Sequence, residues 1–213
     1  LPVDRSLPLP HSRLLRLLLL SVMWLVLLIG PWYYLAPWLA KPVLVLAAQA
    51  MQWVFVWANG LEQNGPVGVL LTTVQVMVPQ AGRLVPAHLA PEVDYRTFGY
   101  GVVLLWSLLL ASRPQHWGYK LLVGTAAIVP AQAVGVCFHW LRDIAIQGGP
   151  LAMRHLGWDQ WQLELVAYGY QFGFLMLTPL APVVLWLCMD HRFVRALWVE
   201  MTLAGAMQRA AGK

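Results

Sequence analysis

Charge is scarce in this chain. Asp, Glu, Lys and Arg make up 11% of its residues, against 60% apolar, a balance too oily for a soluble domain and ordinary for a polytopic membrane protein. No carboxylate or lysine falls deep within a long apolar run, so a proton relay or ion pump has no residues to work with. Cysteine is nearly absent: only Cys137 and Cys188 occur, with no Cys-x-x-Cys, and both lie in hydrophobic runs expected near opposite membrane faces, which argues against a disulfide between them. The six histidines (His11, His88, His116, His139, His155 and His191) never recur three or four residues apart, and no His-Glu-x-x-His exists. A metal or haem site on one helix is therefore unsupported, and only a pair such as His88 with His155 outside the membrane is left open. No phosphate-binding glycine loop, Gly-x-Ser-x-Gly elbow or Ser/Lys arrangement appears. The net charge of +5 comes from basic residues scattered at the ends of apolar runs, not gathered into a patch, which excludes nucleic acid as a partner.

What the chain has in quantity is long apolar runs. The plainest is Trp161–Cys188, WQLELVAYGYQFGFLMLTPLAPVVLWLC. It carries no charge from Leu165 onward, long enough for a helix to cross a bilayer core. Three more runs are read as spans, giving 14–39, 98–112, 118–140 and 165–188. The first follows a Pro-rich tail over 1–13 expected to be poorly ordered. It lacks a small-residue cleavage site, so it is expected to be a retained anchor. Pro31 and Pro37 bend or end it, and Trp32, Tyr33, Tyr34 and Trp38 form an interfacial collar.

Residues 42–60 are ambiguous. If they do not cross, one side holds Arg5, Arg13, Arg16, Arg113, Lys120, Arg192, Arg195, Arg209 and Lys213. The other holds Lys41, Arg83, Arg96, Arg142 and Arg154. If they cross, the asymmetry vanishes. The positive-inside rule thus favours four spans with both termini cytoplasmic, and 42–60 as a helix lying on the outer face with Trp53 and Trp57 toward the membrane. The tract 66–78, PVGVLLTTVQVMV, is short and β-branched and reads as a strand. Pro79, Gly82, Pro86 and Pro91 then mark an irregular loop, and 143–163 a short outer loop. Beyond the last span, 190–213 reads as an amphipathic cytoplasmic tail helix with Phe193, Leu197 and Met201 on one face. The expected fold is one all-α polytopic membrane domain over 1–213: about four transmembrane helices, an interfacial helix and a small non-cytoplasmic β segment within 42–96.

Two small-residue faces suggest close helix packing. Gly169 and Gly173 share one face of the last span, and Ala127, Ala131 and Gly135 recur every four residues on the fourth. Gln132 and Gln171, with Tyr168, Tyr170, Thr125 and Thr178, are the polar groups nearest mid-membrane. They are expected to hydrogen-bond between the fourth and last spans, because hydrocarbon offers no partner. Cys137, His139 and Arg142 are the only candidates for reactive chemistry. A helix turns about 100° per residue, so Cys137 and His139 point roughly 200° apart and cannot meet unaided. An apolar cysteine and an interfacial histidine are the expected roles. The loop carboxylates Glu92, Asp94, Asp143, Asp159 and Glu164 are expected to pair with Arg96, Arg142 and Arg154. No catalytic, metal or cofactor-binding residue is assigned, and a bound lipid, quinone or pigment is left open.

The strings VDYRTFGYGVVLLWSLLLAS (93–112), PAQAVGVCFHWLRDIAIQGGP (130–150) and WDQWQLELVAYGYQFGFLMLTPLAPVVLWL (158–187) resemble the exosortase H-associated membrane proteins of bacteria. The resemblance implies a multi-pass inner-membrane accessory to a protein-sorting transpeptidase, its partners the bilayer and other integral membrane proteins, with no catalytic residues to transfer. The transpeptidases themselves use widely separated Cys, Arg and His. The compact Cys137-Phe138-His139 run departs from that pattern, so those roles are not carried over. A Cys137-centred transpeptidase and an accessory subunit of a respiratory or photosynthetic complex stand as the competing classes.

Overall fold

The structure, a computed structural model, describes residues 10–80 and 83–191, together with Arg195 and Val199. The elements run α1 (Pro10–Val54), β1 (Ala58–Asn64), β2 (Val67–Thr72), β3 (Gln75–Gln80), β4 (Arg83–His88), β5 (Glu92–Asp94), α2 (Arg96–Ser112), α3 (Trp117–Leu156), α4 (Gln160–Gln171), a π-helical turn (Phe172–Leu177) and α5 (Thr178–Met189). The fold is mostly helical, with small β segments. Three helical stretches are long and apolar enough to cross a membrane: Leu14–Val54, Trp117–Gly149 and Gln160–Met189. Helix α2 is apolar but shorter, at 17 residues, about 25 Å at the usual helical rise. Most of the expected tail helix, including Phe193, Leu197 and Met201, lies outside the described residues, as do residues 1–9 of the expected tail.

Helix α1 corrects the reading of 42–60 as a separate interfacial helix. It runs unbroken for 45 residues through Pro31, Pro37 and Pro42, a length of about 67 Å and more than twice the ~30 Å hydrocarbon core. A proline removes one ladder hydrogen bond and kinks a helix, but packing can carry the helix through it. Here Gln63 Nε2 of β1 donates to the Pro37 carbonyl at 3.3 Å. Ala36, Ala40, Val43, Leu44, Ala47, Ala48 and Met51 form one buried stripe in helical phase across both later prolines. Before that stripe, Leu15, Leu18, Leu19, Val22, Val26 and Leu27 are exposed, as lipid-facing residues are. Trp53 and Trp57 do not share a face. Trp53 is 90% exposed, whereas Trp57 lies beyond the helix end and stacks on Phe55 at 4.7 Å.

The strand region is larger than the single strand expected over 66–78. Strands β1, β2 and β5 form an antiparallel sheet in the order β1-β2-β5, and β3 pairs with β4 as a separate hairpin, where an irregular loop was expected. Alternation is weak there because Pro79 and Pro86 interrupt it, yet both prolines are accommodated in a two-stranded ribbon with open edges. Gly65, at φ +60°, makes the β1–β2 turn. Gly68 lets the sheet settle on α1, since a side chain there would strike Leu44. The β3–β4 hairpin is tied to the helices through a cluster of Val74, Leu89 and Ile144, with Trp57 and Trp158 against it.

Helix α3 also runs past its expected end at 140. The predicted outer loop 143–163 is helical to Leu156, with a break at Gly149 (φ 62°, ψ −170°). In the last helix Pro179 has no N–H for the Leu175 carbonyl, and its ring crowds that carbonyl. The ladder widens into the π-turn immediately before it, and both the backbone of Thr178 and its Oγ1, at 2.7 Å, reach the Gly173 carbonyl.

Candidate functional site

The middle of α3 is where the other elements converge. Gly135 backs directly onto Gly173: a Cβ on Gly173 would sit 3.1 Å from Gly135 Cα. A Cβ on Gly169 would overlap the Phe138 ring, and one on Gly101 of α2 would lie 2.8 Å from the Thr178 carbonyl. The π-turn and the Thr178 that follows it are therefore held between α3, at Gly135, and α2, at Gly101. Ala131 is half-buried, but Ala127 is exposed and takes no part. Four residues turn a helix by about 400°, so a four-residue repeat drifts about 40° per step. Two steps from Gly135, Ala127 has left the contact face. Gly124, eleven residues from Gly135 and so nearly in phase, occupies it, packed on Leu105 and Met189. Gly101 and Gly124 were not singled out in the sequence. The spacing of Gly124 to Gly135 was the signal for the second.

The two glutamines are not partners, which corrects the expected bond between the fourth and last spans. Gln132 is buried and its Nε2 donates to the Phe98 carbonyl of α2 at 3.2 Å, while Gln171 and Tyr168 are exposed. The Gln132 amide instead faces the hydroxyl of fully buried Tyr95. Tyr95 Oη and Gln132 Oε1 are both buried and make no hydrogen bond. Burial pushes the Tyr95 phenol up, so it stays a donor. Thr125 accepts from Trp106 Nε1 at 2.8 Å and donates to the Leu121 carbonyl at 2.7 Å. That pair ties α3 to α2.

Cys137, His139 and Arg142 face different surroundings. Cys137 Sγ is directed at α1, 3.5 Å from the Ala47 carbonyl, on the wall of a 370 Å³ apolar cavity that includes Met51, Phe138 and Trp161. His139 lies against Phe98 and Tyr170, at ring separations of 5.8 and 5.7 Å, with Nε2 3.5 Å from Asp143 Oδ2. Arg142 covers the Tyr170 ring at 4.6 Å and reaches Asp143 Oδ1 at 3.4 Å. Tyr170 in turn stacks on Phe174 at 6.0 Å. This cluster, at the strand end of the bundle, joins α3 to α4 by charge and aromatic contact. It holds no thiol beside an imidazole, the geometry a cysteine nucleophile needs. Arg96, at the start of α2, bonds Asp94 at 3.7 Å and lies 4.1 Å over the Tyr33 ring of α1. Asp159 and Glu164 have glutamine neighbours instead: Gln162 Oε1 accepts from the Asp159 backbone and Gln160 donates to Glu164. The side chains of Arg154 and His155 lie outside the described set, so the His88–His155 pair does too. Among the described residues no three His, Cys, Asp or Glu side chains gather as a metal site. Cys137 and Cys188 are free thiols.

These features define a multi-pass helical membrane protein whose bundle is closed by glycine contacts and carries a small strand layer at one end. The sequence model of the exosortase H-associated membrane proteins matches residues 11–193; the chain belongs to that family, whose name makes it a membrane protein associated with exosortase. No curated protein and no solved structure matches the chain.

Proposed function

We propose that the chain is a non-enzymatic accessory protein of the bacterial inner membrane that docks onto an exosortase-type sorting enzyme. In this reading α1, α2, α3 and the α4–α5 helix all cross. Both termini are cytoplasmic, and the strand layer with the outer end of α3 is displayed on the other side. The family match carries the proposal, because it covers the helices and the strand layer together. Two structural features support it. The strand layer is fixed on the helices by the Val74–Leu89–Ile144 cluster while leaving Met77 57% and Val85 40% exposed, apolar surface of the kind that meets a partner. Cys137 and His139 face separate elements, which disfavours a nucleophile–base pair.

A photo-crosslinking residue at Met77 or Val85, in cells co-expressing the exosortase, tests docking. The enzyme should be captured from these positions and not from Tyr119 at the opposite end. Capture from Tyr119 alone, or of the enzyme from neither position, would remove the docking face. Cys137→Ala should leave sorting intact; loss of sorting by a folded variant would restore the transpeptidase reading.

A further inference from the structure

At the end of the bundle away from the strands, a cleft of 440 Å³ separates the start of α1 from the end of α2. Its mouth carries Arg16 from α1 and Arg113 from α2, and its wall runs inward over Leu17, Leu20 and Trp24 to Leu110. Trp24 is eight residues beyond Arg16, about 12 Å deeper along the helix. The cleft is thus cationic at one end and apolar along its length. Neither arginine has an acidic partner among the described residues, where the ion pairs are those of Arg96, Arg142 and His139. Helix α1 has no acidic residue in its first turn, so no described side chain offsets its positive end. Arg113 sits at φ 43°, in the left-handed conformation that closes α2. Glycine or asparagine takes that conformation more readily, yet an arginine holds the place beside the cleft.

We propose that this cleft binds one anionic phospholipid, its phosphodiester between Arg16 and Arg113 and an acyl chain along Leu20, Trp24 and Leu110. The shape selects an amphipathic ligand. Free phosphate would use the two guanidinium groups and leave the apolar wall empty, and a zwitterionic lipid would fill the wall without net charge for the arginines. The groove along α3 by Pro42, Trp106 and Leu122, at 750 Å³, and the Cys137 cavity are lined by no charged residue. A cavity by Tyr119, Val123 and Met189 includes Lys120, but that ammonium already donates to the Met189 carbonyl. The inference rests on the chain lying in a bilayer and is independent of docking to exosortase.

Native mass spectrometry of the full chain, purified in mild detergent and supplied with phosphatidylglycerol or phosphatidylcholine, tests it. The wild type should retain one phosphatidylglycerol in preference to phosphatidylcholine. A basic residue near a membrane surface contributes about fivefold to anionic-lipid affinity. Arg16→Gln with Arg113→Gln should therefore weaken retention by about 25-fold. The charge-keeping Arg16→Lys with Arg113→Lys should stay near wild type, which separates charge from misfolding, and Lys41→Gln at the far end should change nothing. Equal retention of both lipids, unchanged binding in the glutamine double variant, or displacement of phosphatidylglycerol by millimolar inorganic phosphate would each overturn the proposal.

Discussion

Gly173→Ala is the sharpest perturbation of this bundle. Its Cβ would stand 3.1 Å from Gly135 Cα, and backbone, unlike a flexible side chain, cannot swing aside. The α3–π-turn contact must open by a few tenths of an ångström. That strips dispersion contacts from Gly169 on Phe138 and from Gly101 on Thr178, which share the grip. Forcing extra volume into a packed site costs about 1–3 kcal/mol, partly offset by the roughly 0.5–1 kcal/mol that alanine gains over glycine within a helix. The net expectation is a loss of about 1–2 kcal/mol, or about 3–6 °C in midpoint for a chain of this size. Gly30→Ala is the internal control: nothing lies within 4 Å of its Cβ, so it should be neutral or raise the midpoint by about 2 °C. Both are read from thermal unfolding in the same detergent, followed by tryptophan fluorescence. Equal midpoints for the two variants would refute the claim that glycine contacts close the bundle.

Gln132→Leu should cost about 0.5–1.5 kcal/mol in the same melts, because it deletes the buried bond to the Phe98 carbonyl; a gain in stability would refute the contribution of that bond. Arg96→Ala should cost about 0.5–2 kcal/mol through its contact with Tyr33, and adding Tyr33→Ala should cost little more. In a chain with Cys137→Ala and Cys188→Ser, a cysteine at Gln75 should react with a membrane-impermeant maleimide on spheroplasts, and one at His116 only after lysis. Both reacting from the same side would refute the proposed topology.

Helix positions were legible because apolar run length is a strong signal where lipid replaces water. Arg96–Ser112 and Gln160–Met189 fall within a few residues of the expected spans. The separation of 42–60 from the first span failed for a physical reason. In an isolated helix Pro37 bends or ends the run, which sets 42–60 apart as a helix of its own. The stripe Ala36, Ala40, Val43, Leu44, Ala47 keeps helical phase across Pro37 and Pro42, and its packing carries one helix through the missing ladder bonds. The GGP at 148–150 was read as a loop, but only Gly149 leaves helical geometry there. The strands were hard to see because prolines and glycines break their alternation, and their pairing is a long-range property that local pattern does not carry. At the candidate site, which residues were small and polar could be read directly, but not which helix each one met. Gln132 finds α2 instead of the last helix because Phe98 brings a carbonyl acceptor to the same depth.

The length of α1 bears on how a membrane event could reach the strand layer. Its first half is largely exposed as a lipid-facing helix, one stripe of its second half is buried in the core shared with α3 and the sheet, and no break separates them. The helix is therefore one lever with three proline positions at which it can bend, and Gln63 of β1 holds the carbonyl at the second of them. A partner pressing on the sheet would act on that hydrogen bond and on Leu44 beneath Gly68. Those two contacts are where docking and the membrane-spanning half of α1 would be coupled. A Gln63→Ala variant that docks normally but changes the accessibility of Tyr34 and Trp38 to a lipid-borne quencher would establish the coupling; identical quenching with and without the partner, in both wild type and variant, would show that α1 is a passive anchor.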